Sequence, residues 1–147
     1  MSLIDENLIE ETSIEWFEDL GYQYVYGPDI APDSNSPERE NFREVFLIGR
    51  LRSALIRLNP KVPSKTIDAA VLQITNPNIP GLVASNRKFH IWMTKGLPIS
   101  YLVDNQEIGI RLKIIDFDNP DNNDWLVVNQ LAISGLKNNR RPDVVVY

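Results

Sequence analysis

The length and composition of the chain are those of one globular domain, with 147 residues of which 43% are hydrophobic and 24% charged. The absence of cysteine excludes disulfides, thiolate metal sites and a cysteine nucleophile, and no apolar run is long enough to span a membrane. A net charge of −5 argues against a broad phosphate-binding surface, but carboxylates gathered around a metal ion still permit a nucleic-acid substrate. The acidic start lacks the pattern of a secretory signal, so we expect a cytoplasmic protein.

The first predicted element is an amphipathic helix at residues 5–20. Apolar side chains recur there at helical spacing with acidic side chains between them, and Gly21 is expected to end the helix. Alternating aromatic and polar residues at 22–26 predict a short strand. The three prolines and the small polar residues at 27–37 then predict a loop.

Three further helices are predicted before Gly96, and strands after it. The helices are expected at residues 42–58, 64–75 and 82–95, with the Ser64 side chain capping the second of these. The strands are expected at residues 99–103, 108–117, 125–134 and 140–147. Helices followed by strands are typical of an α+β fold, or of α/β if crossover helices come later. We expect a single domain over residues 1–147, with a helical N-terminal half packed on a mixed sheet and the last strand near an open edge.

The last eight residues contain the clearest candidate for chemistry. Asp143 follows a proline and opens a run of valines, which puts one carboxylate at the mouth of a buried strand. Taken alone, the pair Pro142-Asp143 is typical of a turn. The functional interpretation is a ligand for Mg²⁺, a hard cation that prefers carboxylate oxygen and can activate a phosphodiester and water. Arg140 and Arg141 flank this acid and are the best candidates for contacts with DNA phosphates.

A series of motifs in a fixed order runs along nearly the whole chain. They lie at residues 15–22, 26–32, 47–52, 58–60, 86–90, 96–101, 115–120, 122–125, 128–130 and 139–143. In this order and spacing they resemble the N-terminal nuclease region of the restriction (R) subunit of type I restriction–modification enzymes. The resemblance implies a partial PD-(D/E)xK restriction-endonuclease-like core.

The resemblance also implies a role and a site. The parent subunit would couple ATP-driven translocation to cleavage of double-stranded DNA, together with methyltransferase and specificity subunits. Asp143 would match the first metal-binding acid of the nuclease, and Glu10 a family glutamate near the same Mg²⁺, with Glu11 as the alternative if the register differs by one. The family's Glu-x-Lys strand and helicase (ATPase) domains have no counterpart in this sequence. We therefore expect an incomplete metal site, no ATP site in this chain, and a fragment without cleavage activity of its own.

Two other functions remain open at this point. One is a binding or assembly module that docks to other restriction–modification subunits without chemistry of its own. The other is an unrelated metal-dependent hydrolase whose acidic residues lie elsewhere in the chain.

The remaining polar candidates favour structural roles. His90, the only histidine, is expected to be a packed or surface residue and not a general base. Gln130 is expected to be a structural polar residue on a strand. A turn stabilised by Asn and Asp side chains is expected at Asp116, Asp118, Asp121 and Asp124. A solvated helix face is expected at Arg50, Arg52 and Arg57.

Overall fold

The computed structural model describes residues 5–147, which form two compact units. The first unit combines the described part of Met1–Leu47 with Asp124–Tyr147, and the second is Ile48–Asn123. Both contain helices and small sheets, which confirms the α+β class predicted from the sequence. No helix within residues 5–147 is long and apolar enough to cross a membrane.

The first unit opens with helix α1, Glu6–Asp19. The Asp5 carboxylate accepts a hydrogen bond from the Asn7 backbone N–H at 3.2 Å and so caps the first turn. The helix ends before Gly21, whose φ of +95° lies in the region that glycine adopts most readily. The predicted helix and its glycine stop are therefore confirmed.

A three-stranded sheet forms the centre of this unit. Its strands are β1, Gln23–Tyr26, β4, Leu126–Asn129, and β7, Val144–Val146, in the order β1-β4-β7. Strand β4 is parallel to β1 and antiparallel to β7, so the sheet is mixed, as predicted, and β7 lies at its edge. All four side chains of β4 are buried, and Leu126 and Val128 pack with Ile30, Leu47 and Leu131 in the core.

The second unit contains three helices and a hairpin. The helices are α2, Ile48–Leu58, α3, Ser64–Thr75, and α4, Leu82–Lys95. The hairpin pairs β2, Leu97–Val103, with β3, Gln106–Leu112, through Asp104 and Asn105, which both have positive φ. The core side chains of this unit include Leu55, Ile67, Trp92, Leu97 and Leu112.

The predicted helix at 42–58 begins six residues too early, because other groups of the first unit donate to three carbonyls before Ile48. Nη1 of the buried Arg39 donates to the Glu44 carbonyl, and the Tyr147 hydroxyl donates to the Val45 carbonyl, at 3.0 and 2.8 Å. The Phe42 carbonyl accepts from the backbone N–H of Ser134 at 2.8 Å. These groups are therefore satisfied without an α-helix.

Three other local predictions were wrong. Ser64 is the first residue of α3, not its cap, since the cap position is held by Pro63 without a side-chain hydrogen bond. Strand β3 ends at Leu112, short of the predicted residue 117, because the Asn59 side chain brackets Lys113 through two hydrogen bonds of 2.8 Å. The predicted strands at 125–134 and 140–147 are each interrupted. The end of the first and the start of the second pair with each other in a separate small hairpin, of β5, Ile133–Ser134, with β6, Asn139–Arg140.

The loop before β4 is organised around Asp116, as an Asn- and Asp-stabilised turn. Asp116 is only 5% exposed, and its carboxylate accepts from the Asn122 side chain at 3.0 Å and from the Asn119 backbone at 3.2 Å. Lys113 lies 3.3 Å away. The Asn122 hydrogen bond, followed by those of Asn119 and Lys113, holds the pKa of Asp116 below its ordinary value, although desolvation opposes them. The predicted turn is confirmed.

We expect Asp116→Asn to lower the free energy of unfolding at neutral pH. An aspartate whose pKa is lowered by folding contributes stability that is present above its unfolded pKa of about 4 and is lost as the pH falls through the folded value. Urea unfolding between pH 2 and 7 should therefore show a weaker acid dependence in the variant. The exposed Asp118→Asn is the matched control, and equal behaviour of the two variants would contradict this role for Asp116.

Gly27, directly after β1, provides a second test of the fold. A Cβ atom at this position would lie 2.9 Å from the backbone carbon and oxygen of Gln130 and closer still to the Asn129 carbonyl. Because these contacts are with backbone, Gly27→Ala should destabilise the first unit by about 1–3 kcal/mol in urea unfolding. Gly49→Ala is the control, since nothing lies within 4 Å of its added Cβ. A Gly27→Ala protein as stable as this control would refute the close approach.

Candidate functional site

The first unit carries an open, polar cleft of about 680 Å³. It is formed by one face of α1, by β1, by the end of β4 and by the residues before β7. Its lining residues are Glu6, Asn7, Glu10, Glu11, Ile14, Glu15, Glu18, Tyr24, Tyr26, Asn129, Gln130, Arg141 and Asp143. Six of these are acidic and one is basic, so the cleft is suited to a cation more than to a free anion.

The structure brings together the two acids that the sequence singled out. Glu10 comes from α1 and Asp143 from the residue before β7, and both line this cleft. Glu11, the alternative to Glu10, also lines it, as does Arg141. Arg140 lies in β6 as an exposed residue and is not among the described residues that line the cleft.

Two neighbouring amides hold the Glu10 carboxylate. Nδ2 of Asn129 donates to Oε1 of Glu10 at 2.8 Å, and Nε2 of Gln130 donates to Oε2 at 2.7 Å. Both donors are neutral, so they fix the orientation of the carboxylate without neutralising its charge. This arrangement orients the Glu10 carboxylate within the cleft.

Tyr24 on β1 orients the first of these amides. Its hydroxyl donates to Oδ1 of Asn129 at 3.0 Å, which turns Nδ2 of the same amide toward Glu10. Burial raises the pKa of the Tyr24 phenol, the hydrogen bond with Asn129 lowers it, and the negative charge of Glu10 raises it further. The net direction is upward, so the phenol keeps its proton and remains a donor.

Gln130 connects the two acids through different parts of the same residue. Its side chain binds Glu10, while its backbone N–H donates to the Asp143 carbonyl at 3.1 Å. Its φ of +52° is left-handed, which is uncommon for a residue other than glycine, asparagine or aspartate. The interpretation of Gln130 as a structural polar residue therefore missed its contact with Glu10.

Sequence reasoning also missed Asn129 and Tyr24. The available signal was the change from apolar to amide side chains at the end of β4, where Asn129 is only 8% exposed although polar. A buried polar side chain needs a partner, and the sequence could not identify that partner because Glu10 lies 119 residues away.

The other candidates do not contribute to this cleft. His90 is exposed on α4. Arg52 pairs with Asp68 at 2.7 Å, and Nε of Arg57 donates to the Asn122 carbonyl at 3.0 Å. Within residues 5–147, no group of three or more carboxylate, histidine or cysteine side chains is arranged to hold a metal ion.

We expect the stability of the chain to fall at alkaline pH, partly through Tyr24. A group whose pKa is raised by folding contributes stability that is present below its unfolded pKa of about 10 and is lost as the pH rises through the folded value. Unfolding measured between pH 8 and 12 should thus show a smaller alkaline loss in Tyr24→Phe than in the wild type. Part of the loss should remain, because burial also raises the pKa of Tyr147, and Tyr147→Phe should remove that part. An unchanged alkaline profile in Tyr24→Phe would contradict the raised pKa.

Comparison with known proteins identifies the family. The family described as "Type I restriction enzyme R protein N terminus" matches residues 4–147. The chain is 29% identical over 146 residues to the type I restriction enzyme HindI endonuclease subunit of Haemophilus influenzae. It is 28% identical over 148 residues to the putative type I restriction enzyme MjaIXP endonuclease subunit of Methanocaldococcus jannaschii. Each match covers 99% of this chain and 14% of the relative. The resemblance inferred from the ordered motifs is confirmed, and the chain belongs to the family of type I restriction enzyme R protein N-terminal regions.

Proposed function

We propose that this chain forms the opening part of a Mg²⁺-dependent DNA-cleaving site in a type I restriction R subunit, within a PD-(D/E)xK-like core. Glu10 and Asp143 are two of its metal ligands. The observation that carries this proposal is that these acids, one from the first helix and one from the residue before β7, line one cleft. Gln130 is hydrogen-bonded to the side chain of Glu10 and to the main-chain carbonyl of Asp143. The family membership supports the same function.

The donor set of the cleft fits a hard divalent cation. Mg²⁺ is usually bound by one or two protein carboxylates together with several water molecules. Glu10 and Asp143 are two such carboxylates in an open polar cleft with room for water. When bound, the ion would polarise a phosphodiester and lower the pKa of a coordinated water.

The charge of the cleft supports an order of binding. Five glutamates and Asp143 line it, so without a cation a phosphate group entering the cleft is repelled. A divalent cation reverses the local sign. Arg141, the basic residue of the lining, then gives one phosphate a bidentate partner, and the exposed Arg140 contributes from outside the cleft.

The described residues that line the cleft include no lysine, and we propose that the chain alone does not cleave DNA. The chain spans 14% of the length of the relatives it matches. The remaining ligands, the ATP-driven motor and the contacts with methyltransferase and specificity subunits are proposed to belong to other parts of such an enzyme. The same proposal includes a cytoplasmic location, because DNA and the partner subunits are found there.

A binding or assembly module is the second candidate function. Its support is an apolar groove along α4, lined by Leu82, Val83, Ala84 and Ile91 with Arg87 and Lys88, where Leu82 and Val83 are 77% and 84% exposed. Large exposed apolar side chains that lie close together favour a contact surface. The metal-binding experiment below separates the two functions, because a pure assembly module needs no cation in the cleft.

The first test is Mn²⁺ binding by the 147-residue chain, followed by electron paramagnetic resonance of the free ion. Asp143→Asn and Glu10→Gln should each lower the affinity about tenfold or more, because each removes one anionic ligand. Glu18→Gln removes the same charge from the same cleft and should change the affinity by less than about twofold, since general electrostatics in water are weak. Equal affinities in all three variants would overturn the proposal and leave the assembly function.

The second measurement uses an intact type I R subunit that contains this chain, assembled with its partner subunits. Asp143→Asn should abolish Mg²⁺-dependent cleavage of plasmid DNA and leave ATP hydrolysis unchanged, because the motor does not use this cleft. Cleavage at the wild-type rate would exclude Asp143 as a metal ligand.

A further inference from the structure

The geometry at the end of β4 assigns a role to Gln130 that goes beyond the ligands themselves. In a regular strand, neighbouring side chains point to opposite faces, so two consecutive residues cannot bind the same carboxylate. Asn129 and Gln130 nevertheless both donate to Glu10, one to each oxygen. The left-handed backbone of Gln130 breaks the alternation and turns its amide to the face that Asn129 already occupies.

The same backbone conformation sets the position of Asp143. Strand β4 ends in the pair Asn129–Val144, and the Gln130 N–H then donates to the carbonyl of Asp143, the residue just before β7. That hydrogen bond extends the β4–β7 pairing to the residue whose carboxylate lines the cleft. Gln130 therefore contacts both acidic residues: it binds the side chain of Glu10 and the main chain of Asp143.

We propose that Gln130 is a positioning residue that holds Glu10 and Asp143 where both can bind one divalent cation. Asn129 contributes by binding the other carboxylate oxygen of Glu10. This inference rests on the proposed function. Neutral amides are suited to the task, because a lysine or arginine in the same place would compete with the cation for Glu10. Partners of this kind, which orient metal ligands without touching the metal, typically change metal affinity about 10–100-fold when removed.

Because Gln130 has a left-handed backbone, substitution by glycine can separate an effect on metal affinity from an effect on stability. Gln130→Gly deletes the side chain but keeps the N–H that binds Asp143, and glycine adopts positive φ without strain. We expect the Mn²⁺ affinity of this variant to fall about tenfold or more while its thermal unfolding midpoint stays close to that of the wild type. A merely structural glutamine would produce the opposite pattern, with a lower midpoint and unchanged affinity.

Two further variants act as controls. Gln130→Asn keeps an amide and tolerates positive φ, but its side chain is one methylene shorter, so it should lose affinity as Gln130→Gly does. Asn105→Gly removes a side chain from another left-handed residue, at the exposed β2–β3 turn, and should leave the affinity unchanged. Wild-type affinity in Gln130→Gly, with Asp143→Asn still impaired, would overturn this inference and leave the proposed function intact.

A measurement without metal tests the hydrogen bonds directly. The side-chain amide resonances of Asn129 and Gln130 in the ¹⁵N-labelled chain should shift upfield in Glu10→Gln, which replaces a charged acceptor with a neutral amide. Unmoved resonances would overturn the positioning role whatever the metal affinity. If the resonances move but the wild-type chain binds no Mn²⁺, the proposed function fails, and the pair Asn129–Gln130 is reduced to a structural clamp on α1.

Discussion

The pairing of β4 with two partner strands is the constraint on which the first unit depends. Leu126, Val127 and Val128 are almost completely buried, so this strand must be covered on both faces and paired along both edges. Strand β1 pairs with one edge of β4 and β7 with the other, and α1 contacts β1 and β4. The cleft forms where the apolar part of β4 stops and its amide residues begin.

Asp116 and Glu10 are both carboxylates with several hydrogen-bond donors, and the donors differ between the two. Asp116 accepts from two N–H groups and lies beside the Lys113 ammonium, which largely compensates its charge within the second unit. Glu10 accepts from two neutral amides in a cleft with five other acids. Gathering like charges in one cleft costs electrostatic energy, which a bound cation would recover. The two environments therefore differ: Asp116 is held within a turn beside a lysine, whereas Glu10 is held by neutral amides in an acidic cleft.

Local patterns predicted what local interactions determine. The bounds of α4 and the glycine stop of α1 followed from helical periodicity and from Gly21. Errors occurred where non-helical contacts hold the backbone, as at Phe42, Glu44 and Val45. Their carbonyls accept from a backbone N–H of β5, from Arg39 and from Tyr147. The site shows the same division. The last motif contains Asp143, and the family resemblance implied Glu10, whereas Tyr24 and Asn129 are joined to their partners by contacts across 105 and 119 residues.

The candidate site forms only in the folded chain, because its residues lie far apart in the sequence. Helix α1 has its own cap and stop, but Glu10 gains its partners only when β4 lies beside it, about 120 residues later. Asp143 is aligned only when β7 pairs with β4. Loss of the β4–β7 pairing would thus remove the site while leaving α1 helical. Metal binding to Glu10 and Asp143 would in turn stabilise that pairing, because a ligand that binds only the folded arrangement shifts the equilibrium toward it.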